Sequence, residues 1–127
     1  MAKEKKWGVV PYRKKKGKIE VLLITTRSDN WGLPKGNLIR KLGARKTALR
    51  EAYEEAGIIG CISGKGKLFT FEEKESIHYW PMKVEKELDR WPEHSSRNRK
   101  WVKPSKAFQM IKRKASRKAV QMITAQN

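Results

Sequence analysis

Glu51, Glu54 and Glu55 stand at i, i+3 and i+4 of a stretch that reads as helix, so three carboxylates share one face. Like charges at that spacing destabilise a bare helix by roughly 0.2–0.5 kcal/mol per pair. In a chain of 13 acidic and 31 basic residues, such a cluster asks for a reason. One is a hard divalent cation such as Mg²⁺ or Mn²⁺, which takes carboxylate oxygens, keeps several waters and binds the phosphates of a substrate. The other is a solvated acidic stripe with no chemistry.

The element that must carry the cluster is a helix within residues 36–58. Gly43 or Thr47 is its expected cap. Ala44, Ala48, Ala52 and Ala56 recur every fourth residue, a stripe that lets the helix lie close against a sheet. Leu49 and Tyr53 widen that buried face, and Gly57 ends the helix as the residue just past it.

Around this helix the chain reads as a mixed α/β domain spanning residues 1–127, without repeats or linkers. Residues 5–13 form a first strand, with Pro11 suggesting an edge or a bulge. Residues 14–18 are a basic hairpin turn pivoting on Gly17, either merely solvated or phosphate-binding. The apolar, β-branched run 19–26 is the clearest strand, and residues 27–36 a loop rich in Asp, Asn, Gly and Pro. Residues 58–71 read as two strands around Gly64 and Gly66, and residues 76–87 as another strand after a polar turn. A loop over 88–99 leads to a short strand at Trp101 and Val102. Pro104 suits the first turn of a helix running over 106–126, with Phe108, Ile111, Ala115, Ala119 and Met122 or Ile123 on one side and a break near Ser116.

Composition bounds the function. A length of 127 residues suffices for one real core. The formal net charge of +18 points to a polyanionic partner or substrate, because such a field steers and concentrates anions. No run approaches the roughly 18–20 apolar residues of a membrane span, and the first ten residues lack the apolar centre of a signal peptide. The single cysteine, Cys61, excludes an intramolecular disulfide, and a cytoplasmic setting is expected.

Residues 36–58 resemble the Nudix box, a pattern of the form G-x5-E-x7-R-E-U-x-E-E-x-G-U in which U is a bulky aliphatic residue. Gly36 opens it, Arg50 and Glu51 follow at the required distance, then Glu54 and Glu55, and Gly57 and Ile58 close it. Two positions depart: Ala52 is smaller than the usual aliphatic, and Leu42 occupies the place of the first glutamate.

The resemblance implies an α/β/α sandwich, with a mixed sheet between the box helix and C-terminal helices. It implies a metal-dependent hydrolase of phosphoanhydrides in which Glu51, Glu54, Glu55 and the main-chain carbonyl of Gly36 hold Mg²⁺ or Mn²⁺. Arg50 orients the carboxylates in this scheme, and Lys35, Arg27, Arg97 and Arg99 are the cations expected on the substrate side. Many members add a metal ligand or base from outside the box, for which Glu73, Glu75 and Glu93 are candidates. His78 and His94 have thinner cases for proton transfer.

Lys35 before the box glycine, Arg50-Glu51-Ala52 at its centre, and the run from Trp91 to Val102 resemble the branch that hydrolyses diadenosine polyphosphates and diphosphoinositol polyphosphates. Nucleotide sugars, ADP-ribose, nucleoside triphosphates and RNA 5′ ends are the alternative substrates. The rival reading is a non-catalytic module in which Leu42 marks a decayed site. Lys112, Arg113, Lys114, Arg117 and Lys118 would then grip nucleic-acid backbone.

Overall fold

The computed structural model describes residues 4–26, 28–71 and 75–124. Strand β1 (Glu4–Lys15) is its axis. It pairs antiparallel with β2 (Lys18–Thr25) and parallel with β7 (Glu75–Glu87). Two short strands, β3 (Trp31–Gly32) and β4 (Lys35–Gly36), occupy the stretch read as loop, on β2 and β1 respectively. Strands β5 (Ile58–Ile62) and β6 (Lys67–Phe71) both pair antiparallel with β7, at its C-terminal and N-terminal halves. Strand β8 (Arg99–Val102) lies antiparallel on β2.

Pro11 is therefore in an interior strand, not at an edge. It falls between residues 7–8, which face β4, and residues 12–15, which face β2, so its missing N–H sits where the neighbour on that side changes.

The sheet is covered on both faces, as an α/β/α sandwich requires. Alternation in β2 sends Leu22 and Ile24 to one face and Val21 and Leu23 to the other. All four are fully buried, worth about 1.5–3 kcal/mol each by apolar transfer. On the first face lie α1 (Gly43–Glu51) and the helical turn that follows it, with the stripe Ala48, Ala52 and Ala56 against Val9, Leu22 and Ile24. On the second lie α2 (Pro104–Met110), α3 (Lys114–Ala119) and α4 (Gln121–Thr124), packing Ala107, Ile111, Ala115, Ala119 and Ile123 on Val10, Leu23 and Tyr79. The buried Tyr79 hydroxyl is hydrogen-bonded to Ser116 Oγ at 2.7 Å, and burial raises its pKa. Among the described residues no helix is long and apolar enough to cross a membrane.

Three sequence expectations need correction. The C-terminal helix is three short ones, and its first break is at residues 111–113, not near Ser116. There the backbone turns extended so that Ile111 can enter the core, and Arg117 donates to the carbonyls of Ile111 and Lys112. Phe108 and Tyr53, assigned to buried faces, are each 38% exposed. Neither Gly43 nor Thr47 caps α1. Leu42 holds that place without a side-chain bond, while buried Thr47 Oγ1 accepts from the Ile39 N–H at 3.0 Å and ties down the preceding loop.

Candidate active site

The box helix does not stay α-helical. After Glu51 the residues Ala52–Ala56 form a π-helical turn, closed by Gly57 at φ 66°. A side chain at Gly57 would meet the Trp91 ring as well as the left-handed backbone. Carbonyls near a helix C-terminus need outside donors, and the loop after β7 supplies them. The Trp91 indole N–H donates to Glu55 O at 3.0 Å, and the Glu93 N–H donates to Glu54 O at 3.1 Å. Arg99 donates to Ala56 O at 2.9 Å. These bonds carry Glu93 to the box carboxylates.

The i+4 contacts of the helix survive the wider turn. Arg50 Nε donates to Glu54 Oε1 at 3.0 Å, so with Leu42 at the first-glutamate position the arginine pairs within its own helix. The Glu51 and Glu55 carboxyls are close enough to perturb each other. Glu55 is only 8% exposed, and burial, reinforced by Glu51, pushes its carboxyl up to about 8. Burial also raises Glu51.

Strand β4 closes the site from the other side. Gly36 sits opposite Trp7, and a Cβ on it would overlap the Glu51 carboxyl group. The Lys35 N–H donates to Glu55 Oε1 at 3.3 Å, and its ammonium, close to Arg113 and Glu55, has its pKa lowered first by burial.

Arg97 is bound into the acidic cluster. It donates to Glu93 Oε1 at 2.9 Å and to Thr25 O at 2.8 Å, and lies 3.7 Å from Glu55 Oε2. Arg99, expected to face substrate, is turned the other way. It stacks on Trp91 at 4.0 Å and spends its donors on Ala56 O, Leu88 O and Glu87. Arg27 and Glu73 lie outside the described residues. Glu75 pairs with Arg113. His78 is bonded to Lys65 O at 2.9 Å and stacked against Trp80, a structural role, while His94 lies edge-on to Trp91.

Glu51, Glu54, Glu55 and Glu93 thus line one cleft of about 590 Å³, together with Gly36, Lys35, Arg97 and Arg113. An adjoining cleft of about 460 Å³ shares Lys35 and Arg113 and adds Trp31, Phe71 and Glu75. The sequence placed Arg113 on the basic side of the C-terminal helix, away from the acidic cluster. Only the extended break before α3 brings it here, and no periodicity signals that.

The donor set fits a hard divalent cation: four carboxylates gathered in one cleft, with a glycine where any side chain would intrude. Among the described residues, no three acids are already drawn to a single point as a ligand cage; arginines hold Glu54, Glu55 and Glu93 instead.

The profile of the NUDIX domain matches residues 3–123. Nudix hydrolase 21, chloroplastic, of Arabidopsis thaliana is 36% identical over 90% of this chain and 63% of its own length. Nudix hydrolase 4 of the same plant is 33% identical over 90% of this chain and 62% of its own. The chain therefore spans less than two thirds of the length of these curated relatives. The crystal structure of a C. elegans Ap4A hydrolase binary complex superposes with a TM-score of 0.77 at 28% identity, covering 94% of this chain and 96% of that one. With the box residues in one cleft beneath a two-sided sandwich, and with this match along nearly its whole length, the chain belongs to the Nudix domain family.

Proposed function

We propose that the chain is a divalent-cation-dependent hydrolase of phosphoanhydrides, with Mg²⁺ or Mn²⁺ held by Glu51, Glu54, Glu55 and the Gly36 carbonyl. The observation that carries this reading is the joint lining of one cleft by four glutamates and the cations Lys35, Arg97 and Arg113. Acids can take the metal and bases the phosphates, side by side. A bound divalent ion there supplies Lewis-acid polarisation of phosphoryl oxygens and lowers the pKa of water.

The chain's own residues do the rest. Lys35 and Arg113 draw the phosphates into the cleft, and positioning with charge stabilisation is most of what phosphoryl transfer needs. Arg97 holds Glu55 and Glu93 in place. Glu93 is the extra-box residue the geometry favours as base or further ligand. Arg50 fixes Glu54.

The substrate class we favour is a diadenosine polyphosphate or a diphosphoinositol polyphosphate. The net charge of +18 suits many phosphates, and the C. elegans relative is named an Ap4A hydrolase. Nucleotide sugars, ADP-ribose and RNA 5′ ends are the competing substrates. The exposed, unpaired Cys61 suits a reducing compartment such as the cytoplasm, although relatives carry chloroplastic and mitochondrial names.

One observation favours a second reading, a non-catalytic polyanion-binding module: arginines already clasp three of the carboxylates. Phosphate release from diadenosine tetraphosphate separates the two. Turnover that requires Mg²⁺ and stops with EDTA supports the enzyme. Absence of metal-dependent turnover across a panel of pyrophosphate substrates, with salt-sensitive polyanion binding, supports the module.

A further inference from the structure

The β1–β2 hairpin extends past its neighbours. The ladder to β7 stops at Tyr12 and the ladder to β8 begins at Val21, so residues 13–20 are a ribbon of two strands alone. Its tip carries Lys14, Lys15, Lys16 and Lys18, all exposed, and no acid pairs with any of them among the described residues.

The lysines run against local preference. Lys15 and Lys18 stand directly opposite each other, where like charges destabilise a strand pair. Lys16 sits at φ 52° before Gly17 at φ 77°, a turn position that Asn, Asp or Gly fills with less strain. The ribbon is also remote from the cleft. Gly36 pairs with β1 at Trp7, six residues before Arg13, or about 20 Å of strand. A small substrate in the cleft does not account for this charge.

We infer that the lysine-tipped ribbon 13–20 is a docking site for the phosphodiester backbone of a nucleic acid. A narrow ribbon with point-like ammonium groups on both strands suits a line of phosphates, whereas bidentate recognition of carboxylates favours arginine. The large exposed apolar side chains of the described residues (Leu38, Tyr53, Ile59, Leu68 and Phe108) all lie off the ribbon, so it has nothing to insert into a lipid surface. This inference stands apart from the proposed hydrolysis.

The test is fluorescence anisotropy of a labelled 20-nucleotide single-stranded RNA with the full chain between 50 and 200 mM KCl. The variant Lys14→Gln, Lys15→Gln, Lys16→Asn, Lys18→Gln is compared with one of equal charge loss elsewhere: Lys46→Gln, Lys65→Gln, Lys86→Gln, Lys106→Gln. We expect the ribbon variant to bind at least ~10-fold more weakly at 100 mM salt and to flatten the log–log salt slope by about 3, with circular dichroism and any hydrolysis unchanged. The control variant should lose much less. Equal losses in both variants, or an unchanged slope in the ribbon variant, overturn the proposal. So does a loss seen only with phosphatidylserine vesicles, or a ribbon variant whose sole defect is aggregation, since exposed lysines also guard strand edges.

Discussion

Gly36 and Glu51 are in such close apposition that the glycine's missing side chain is the space the Glu51 carboxyl occupies. The two come from opposite sides of the site, one from β4 on the sheet and the other from the last turn of α1. A substitution at Gly36 therefore moves a carboxylate without touching its chemistry.

Gly36→Ala is expected to lower turnover about 100-fold, the scale of a catalytic group displaced by roughly 1 Å. The melting temperature should fall by only a few degrees. Steady-state hydrolysis and calorimetry on the same preparation check both, and wild-type turnover in the variant rejects the apposition as a functional constraint.

Glu54→Gln and Glu55→Gln should each cut turnover at least ~100-fold, because metal-held charge stabilisation is worth several kcal/mol. The Glu55 variant should keep its fold, since an amide preserves the shape of a carboxyl whose charged form burial already disfavours. Near-normal rates in both variants would sink the proposed roles.

Arg97→Ala removes the partner of buried Glu55 and a donor to Thr25 O. Breaking such a pair costs about 3 kcal/mol, eased where the stranded Glu55 takes up a proton. Urea denaturation should show the loss. Arg97→Lys should recover little of it, because a single ammonium cannot reach Glu93, Glu55 and Thr25 O as a planar guanidinium does.

Arg50→Ala should separate stability from function. Arg50 is about half exposed, and its i+4 pair with Glu54 contributes only about 0.3–0.5 kcal/mol. The melting temperature should barely move, while the Mg²⁺ concentration for half-maximal turnover rises as Glu54 loses its orienting partner. An unchanged metal requirement would show that Arg50 is only a surface residue.

Gly57→Ala tests the end of the π-helical turn. The left-handed backbone costs a residue with a side chain roughly 1–3 kcal/mol, and the new methyl meets the Trp91 ring. Thermal unfolding should shift down by several degrees. Activity should fall further than stability, because Trp91 and Glu93 are tied to the same turn.

The sequence by itself determined the acidic trio, the alanine stripe beneath it, the glycine that ends the helix, and most strands of the sheet. Each of these is a local matter: periodicity decides which side of an element is buried, and a glycine's conformational freedom marks where it stops. The tertiary structure decided what surrounds the trio. Glu93 reaches the cleft because Trp91 and its own N–H satisfy carbonyls of a widened turn, and no local preference foretells a π-helical turn within a good helix. Arg97 turns to the acidic cluster and Arg99 to the end of the box helix, although they are two residues apart in one basic run, because only the folded molecule sets acids beside the first and helix-end carbonyls beside the second. Arg113 enters through a break that the core imposes by pulling in Ile111. Charge alone says that a side chain needs a partner; which partner it finds depends on contacts between residues dozens of positions apart, and those exist only once the sheet has formed.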